Sequence, residues 1–217
     1  MSLQRIIDLS YGLNPQTPVY PDYPGVEITI LETVHDAKSD RRALNSSRIA
    51  VGMHCGTHMD APFHFYEEGR KIDAVPLDRL IGPAVLADLR RPSRNGLIEP
   101  RNLKPYRARL RKARRIVINT GWAKQWGKPS YFSDHRVMTA EAAEFLVECG
   151  VVLVGIDAPS VDRPPFPAHL PLLGHDVIIV ENLTNLGAIR KPVFTLVVLP
   201  LKITAREGSP VRAVAVI

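Results

Sequence analysis

Several things are scarce in this chain, and each scarcity excludes something. Cysteine occurs twice in 217 residues, at Cys55 and Cys149, too few for a disulfide framework and in keeping with a reducing compartment. The longest apolar runs, near residues 151–156 and 193–201, fall far short of the ~20 residues that a membrane span needs. Residues 1–10 hold no apolar core of signal-peptide length, so the expected location is cytoplasmic, with no membrane partner. Internal repeats, linker tracts and low-complexity segments are also missing, although 19 prolines and 14 glycines mark many turns. With 45% apolar residues, the whole of 1–217 reads as one globular domain, long enough to bury roughly 70% of its unfolded surface.

Acid is lacking from one stretch. Residues 101–115 carry eight basic side chains (Arg101, Lys104, Arg107, Arg109, Arg111, Lys112, Arg114, Arg115) and no carboxylate, against a net charge of +6 for the chain. Such a run can track phosphates. Only Tyr106 lies among them, however, and a single-strand platform needs several interleaved aromatics. The expectation is a solvated basic helix or loop, with Arg107, Arg111 and Arg115 on one side, and no nucleic-acid partner.

What the chain does have is a concentration of histidine. Three of its seven histidines fall within the eleven residues 54–64. The groups capable of ligand or proton-transfer chemistry, His54, His58, Asp60 and His64, all occupy even positions. Val51, Met53, Cys55, Met59, Ala61, Phe63 and Phe65 fill the odd ones, with Thr57 the one hydroxyl. That alternation is the pattern of an extended segment with one apolar and one chemical face. A straight strand would hold His54 and His58 about 13 Å apart, whereas ligand nitrogens sit about 2 Å from a shared ion. The chain must therefore bend between them, and Gly56 is the residue that tolerates it. Pro62 suits an exit into a loop. Gly56, Thr57 and Pro62 together argue against a helix. Burying four ionisable groups unpaired is costly, so the stretch reads as a metal centre, hydrolytic or redox.

Around it the pattern alternates strand and helix. Strands are expected at 5–9, 26–34, 47–53, 84–89, 115–120, 151–156, 177–180 and 193–199. A proline-rich loop spans 14–25, a charged connection spans 35–42, and 201–204 with 211–217 form a hairpin around Glu207-Gly208-Ser209-Pro210. Thr139 caps a helix running to Glu148 and closed by Gly150, and a short helix covers 183–189. Continuous apolar strands after a helix imply a partly parallel, covered sheet: mixed α/β, strand-rich, with a small helical layer. His54, His58 and Asp60 alone can supply three ligands. His169 and Glu181, the latter ending four aliphatic residues, are further candidates.

The segment His54-x-Gly56-Thr57-His58-x-Asp60-x-Pro62-x-His64 resembles the signature of the cyclase family of metal-dependent hydrolases, which includes bacterial kynurenine formamidase (arylformamidase) and isatin hydrolase. The likeness extends to Gly155-Ile156-Asp157-x-Pro159-Ser160-x-Asp162, to His169 with Leu172-Leu173 and Glu181, and to 199–203 with 209–213, so it covers nearly the whole chain. It implies a swivelling β/β/α fold, assembled as homodimers or homotetramers, sometimes with the N-terminal loop reaching a neighbour's site. It further implies that His54 and His58 bind one divalent ion, that His169 holds a second, and that Asp60 and Glu181 bridge them. His64 becomes the acid/base. Tyr20 takes the place of a substrate-contacting aromatic that is tryptophan in most formamidases, a departure that weakens the tie to the kynurenine branch and to tryptophan catabolism.

The expected reaction is attack of metal-activated water on an amide carbonyl, with His64 relaying the proton. Mixed nitrogen and oxygen donors favour zinc or manganese, one or two ions per subunit. N-formylkynurenine is the first expected substrate and isatin-like cyclic amides the second. Three rivals are an iron(II) oxygenase built on His58, Asp60 and His169, a Cys55 nucleophile, and a non-enzymatic basic nucleic-acid module. Asp157 and Asp162 match the family pattern, orienting ligand histidines or holding loops. His35, His135 and His175 are read as structural.

Overall fold

Four segments whose side chains are buried throughout decide the architecture: His58–Asp60, Arg115–Asn119, Leu153–Ile156 and Ile178–Glu181. Strands buried on both faces need cover on both sides. The structure, a computed structural model, describes residues 5–34, 44–91 and 95–217. In chain order the first elements are β1 (Ile6–Asp8), β2 (Glu27–Glu32), β3 (Ser46–Ala50), β4 (His58–Asp60), α1 (Leu77–Leu80) and β5 (Ile81–Asp88). Then come β6 (Leu97–Ile98), α2 (Pro100–Leu103), α3 (Arg107–Ala113), β7 (Arg115–Asn119), β8 (Val137–Met138) and α4 (Ala140–Glu148). The last are β9 (Leu153–Ile156), α5 (His169–Gly174), β10 (Ile178–Glu181), β11 (Val193–Pro200) and β12 (Gly208–Val216).

The main sheet runs β1-β12-β11-β5-β7-β9-β10-β4, and β4 pairs back onto β12. Seven strands therefore close on themselves, and β1 extends the same edge of β12 that β4 occupies further along. The run β5, β7, β9, β10 is parallel, and the joins through β11, β12 and β4 are antiparallel. Alternate residues divide between two cores. Met59, Val117, Leu153, Ile178, Phe194, Leu196 and Ala213 pack together within the ring. Ile116, Ile118, Val154, Ile156 and Ile179 face outward against Leu103, Leu110, Phe145, Leu146 and Leu172 of the helices. This is the expected strand-rich α/β class with a partly parallel, covered sheet.

Several expectations shift in detail. The strand expected over 47–53 ends at Ala50. Within 51–65 only His58–Asp60 pairs as a strand, because Gly56 turns the chain at φ +61° and Pro62 opens a 3-10 turn. The helix expected over 183–189 is a single 3-10 turn, Leu186–Ala188, after left-handed Asn182 and Asn185. Residues 201–204 are not a strand, and the C-terminal hairpin pairs β11 with β12, Pro200 opposite Val211. Arg115 is not on a solvated face: it is buried in β7, where its guanidinium donates to the carbonyls of Asp78, Arg79 and Ala113. Of the other basic residues there, Arg101 meets Glu99 and Arg107 meets Glu148. The connection at 35–42, His35 included, lies outside the described residues. β2 and β3 form a separate two-stranded sheet whose Ile28, Ile30 and Ile49 are exposed. Among the described residues no helix is long and apolar enough to cross a membrane.

Helix α4 starts as expected: the Thr139 hydroxyl accepts from Ala142 N, and Gly150 follows at φ +73°. Thr139→Ala removes the cap. It should cost about 1 kcal/mol and lower the melting temperature by about 2–4 °C; calorimetry showing no change would contradict the capping role.

Candidate metal centre

The register of β4 builds the centre. Antiparallel pairing sets His58 opposite Glu181 of β10, and Asp60 opposite Gly208 of β12. Cross-strand partners share a face, so a histidine and a carboxylate distant in sequence come together on the outer face of the closed sheet, opposite the side on which Met59 packs. His58 Nε2 lies 3.4 Å from Glu181 Oε2 and 3.5 Å from Asp60 Oδ1. His169, the first residue of α5, brings Nε2 to 3.7 Å from Asp60 Oδ2 and 3.6 Å from Glu181 Oε1. His54, in the turn before Gly56, puts Nδ1 2.7 Å from Asp60 Oδ1. His64 ends the 3-10 turn and stacks on His54, ring centroids 4.0 Å apart. All six residues converge on one cavity.

The donor chemistry fits a divalent cation. His54, His58 and Asp60 form one triad, and Asp60, His169 and Glu181 a second, each with donor atoms within 4.8 Å of one another. Asp60 is common to both. His58, Asp60, His169 and Glu181 are buried, and carboxylates so placed need positive charge beside them. Burial alone would depress His58, but the hydrogen bond and charge of Glu181 and the charge of Asp60 raise it to about 8. His169 likewise overcomes its desolvation through Asp162, Asp60 and Glu181 and rises to about 10. Burial opposes ionisation of Asp60, yet its imidazole neighbours hold the carboxyl well below the usual range.

Outer contacts fix the ring orientations. His58 Nδ1 meets the carbonyl of Gly56 at 2.9 Å, leaving Nε2 for the centre. The same carbonyl accepts from Asn182 Nδ2 at 2.8 Å, and Asn182 Oδ1 accepts from the Tyr131 hydroxyl at 2.7 Å. Asp162 supplies what the sequence left open: its Oδ1 takes His169 Nδ1 at 2.6 Å, while Oδ2 accepts from Ala168 N and His169 N. Asp157 does the other job, accepting from Thr120 N, Thr120 Oγ1 and Gly121 N to hold a loop. Glu181 Oε1 accepts from Val161 N at 2.8 Å.

The cavity encloses about 410 Å³, within the range of small-molecule sites. Beyond the ionisable cluster its walls are aromatic, with Tyr20, Tyr23, Phe65, Phe132 and Phe166, and Arg163 stands at the rim. Tyr20 packs on Phe132 at 4.5 Å, and burial pushes its phenol up. Cys55 and Phe65 also border the cavity, although alternation put both on the apolar face. The turn at Gly56 and the 3-10 turn at Pro62 break the register that reasoning assumed. Phe132, Phe166 and Arg163 reach the cavity from segments distant in sequence, so no spacing within the histidine motif points to them. Burial takes His64 down to about 4; Asp60 opposes this, and His54, His169 and His58 add to it. Its imidazole is therefore neutral at pH 7.

Comparison with known proteins identifies the family and the fold. Residues 7–163 match the Cyclase family, described as "Putative cyclase". The kynurenine formamidase of Bacillus cereus is 32% identical over 220 residues, covering 99% of this chain and 98% of its own. An isatin hydrolase bound to the product analogue thioisatinate superposes with a TM-score of 0.83 at 27% identity, covering 99% of this chain and 92% of its own. Isatin hydrolase A from Labrenzia aggregata shares the fold, with a TM-score of 0.84 at 24% identity over 99% of this chain and 94% of its own. The chain belongs to the cyclase family, and it is a hydrolase.

Ligation requires neutral imidazoles. Since His58 and His169 titrate near 8 and 10, affinity for Zn²⁺ or Mn²⁺ should weaken as the pH falls from 8 to 6, and binding at pH 7 should release protons. Calorimetry in buffers of different ionisation enthalpy reads both. Affinity flat across that range would contradict the assignment.

Proposed function

We propose that the protein is a metal-dependent amide hydrolase of arylformamidase type, acting through residues 1–217 as a single domain, with N-formylkynurenine as its first substrate. The observation that carries the reading is one buried cluster in which two carboxylates and three imidazoles converge while a fourth imidazole, His64, stays neutral against His54. In this reading His54 and His58 hold one cation and His169 a second, with Asp60 and Glu181 shared between them. Zinc and manganese both suit such mixed donors. A divalent cation held by these residues would supply Lewis acidity, acidifying a nearby water and polarising the amide carbonyl.

The remaining chemistry belongs to the chain. His64, neutral at pH 7, accepts a proton from the attacking water and returns it to the leaving amine. Burial that depresses His64 keeps it a base across the neutral range. Tyr20, Phe132 and Phe166 exclude water and stack against an aryl group, and the Tyr20 phenol stays protonated as a hydrogen-bond donor. Cys55 is a poor nucleophile, since burial pushes its thiol up. An oxygenase using only His58, Asp60 and His169 would leave His54 and Glu181 without work in the same cluster.

The substrate is drawn from the relatives. The Bacillus cereus protein's name specifies a formamide, and an aryl formamide matches aromatic walls beside a hydrolytic centre. A cyclic aryl amide is the second reading, favoured by the isatin hydrolase neighbour and the same walls. A cytoplasmic homodimer or homotetramer completes the proposal.

Metal analysis of the purified protein, then assays on N-formylkynurenine and isatin, tests the reading. Chelation should abolish turnover, and zinc or manganese should restore it. His64→Ala should lower kcat by about 10²–10⁴-fold with metal content unchanged. Full turnover in the chelated protein would overturn the reading, and wild-type kcat in His64→Ala would remove His64 from its role.

A further inference from the structure

The three clustered imidazoles do not face inward alike. His58 and His169 turn Nε2 to the centre, and an outer acceptor, Gly56 O or Asp162 Oδ1, takes Nδ1. His54 is reversed: Nδ1 faces Asp60, and Nε2 points away. That outer nitrogen is buried and has no hydrogen-bond partner among the described residues. A ligand imidazole needs its second N–H held, because that contact fixes the tautomer and the ring plane.

One group stands where the partner belongs. Glu207 Oε1 lies 3.9 Å from His54 Nε2. The Glu207 backbone is anchored next to the cluster, its carbonyl accepting from Ala61 N at 2.9 Å. The following residue explains how β12 comes so near: a Cβ on Gly208 would meet Met59 O at 2.7 Å and His54 Cε1 at 3.1 Å. Only glycine lets the strand pass beneath this ring. The Glu207 side chain is 31% exposed, free enough to close the remaining ångström by rotation.

We infer that Glu207 is the positioning residue for His54, accepting its Nε2 proton so that Nδ1 is left unprotonated to face a divalent cation. The inference rests on the metal reading of the site. Each of the three imidazoles then has its own outer acceptor: a backbone carbonyl, a buried carboxylate and a partly exposed carboxylate.

The test uses the full-length protein stripped with chelator and titrated with Zn²⁺ or Mn²⁺ alone. Glu207→Ala should weaken binding at least 10-fold, and Glu207→Gln, whose amide oxygen still accepts, should recover part of the loss. In a His54→Ala background the Glu207→Ala change should cost nothing further. Long-range ¹⁵N–¹H spectra of the loaded wild type should show His54 protonated at Nε2. Wild-type affinity in Glu207→Ala, or an equal loss with and without His54, would overturn the assignment. So would a lower melting temperature of the metal-free variant with unchanged affinity, the signature of a merely structural role. If the wild type itself binds neither ion, the metal reading fails first and this inference falls with it, a result distinct from a selective failure at Glu207.

Discussion

Two carboxylates buried side by side set the terms for the rest of the molecule. Asp60 and Glu181 are almost fully removed from solvent, and negative charge in such surroundings is tolerated only next to compensating positive charge. The protein alone meets this by raising two imidazoles, His58 and His169, so that they stay protonated near neutrality. A divalent cation meets it better, because one ion replaces those protons and satisfies nitrogen and oxygen donors together. The electrostatic tension in the cluster and its fitness for a cation are one property. The same field leaves His64 outside: it lacks the close carboxylate contacts of the others, and burial dominates its titration.

Precision comes from a layer of residues behind the cavity wall. Gly56, Asp162 and Val161 contribute single polar groups, each tied to one ring or one carboxylate of the cluster. Tyr131 and Asn182 add a relay onto the Gly56 carbonyl. Asn182 sits at φ 56°, a conformation that asparagine tolerates better than most side chains. Local strain there is the cost of turning its amide back toward the site at the end of β10.

The extent to which this was legible in sequence differs from residue to residue. Spacing alone singled out His54, His58, Asp60 and His64, because ionisable residues recurring within a hydrophobic segment have few explanations. The bend at Gly56 followed from reach, and its positive φ agrees. Capping chemistry located α4 to the residue. What spacing could not give was the join between distant segments. Glu181 is only a further candidate in the sequence, and it is the β4–β10 register that sets it opposite His58. Asp162 had two possible roles because the backbone N–H groups that donate to it lie six and seven residues onward, where the chain folds into α5. Period-two reasoning erred at Cys55 and Phe65, since it presumes an unbroken strand and both flank a turn. The exposed faces of β2 and β3 show the converse limit: alternation reports a pattern of side chains, not what covers them.

The way the ring shuts has a consequence for assembly of the molecule. β4 lies between β10 and β12, so the strand carrying His58 and Asp60 acquires both neighbours only after segments more than a hundred residues downstream have been made. Contacts of such separation form slowly, because the intervening chain must give up its freedom before they contribute. During biosynthesis a nascent polypeptide halted before β12 would display the histidine motif without the frame that aims it. The geometry of the cluster is therefore among the last features of the fold to be completed.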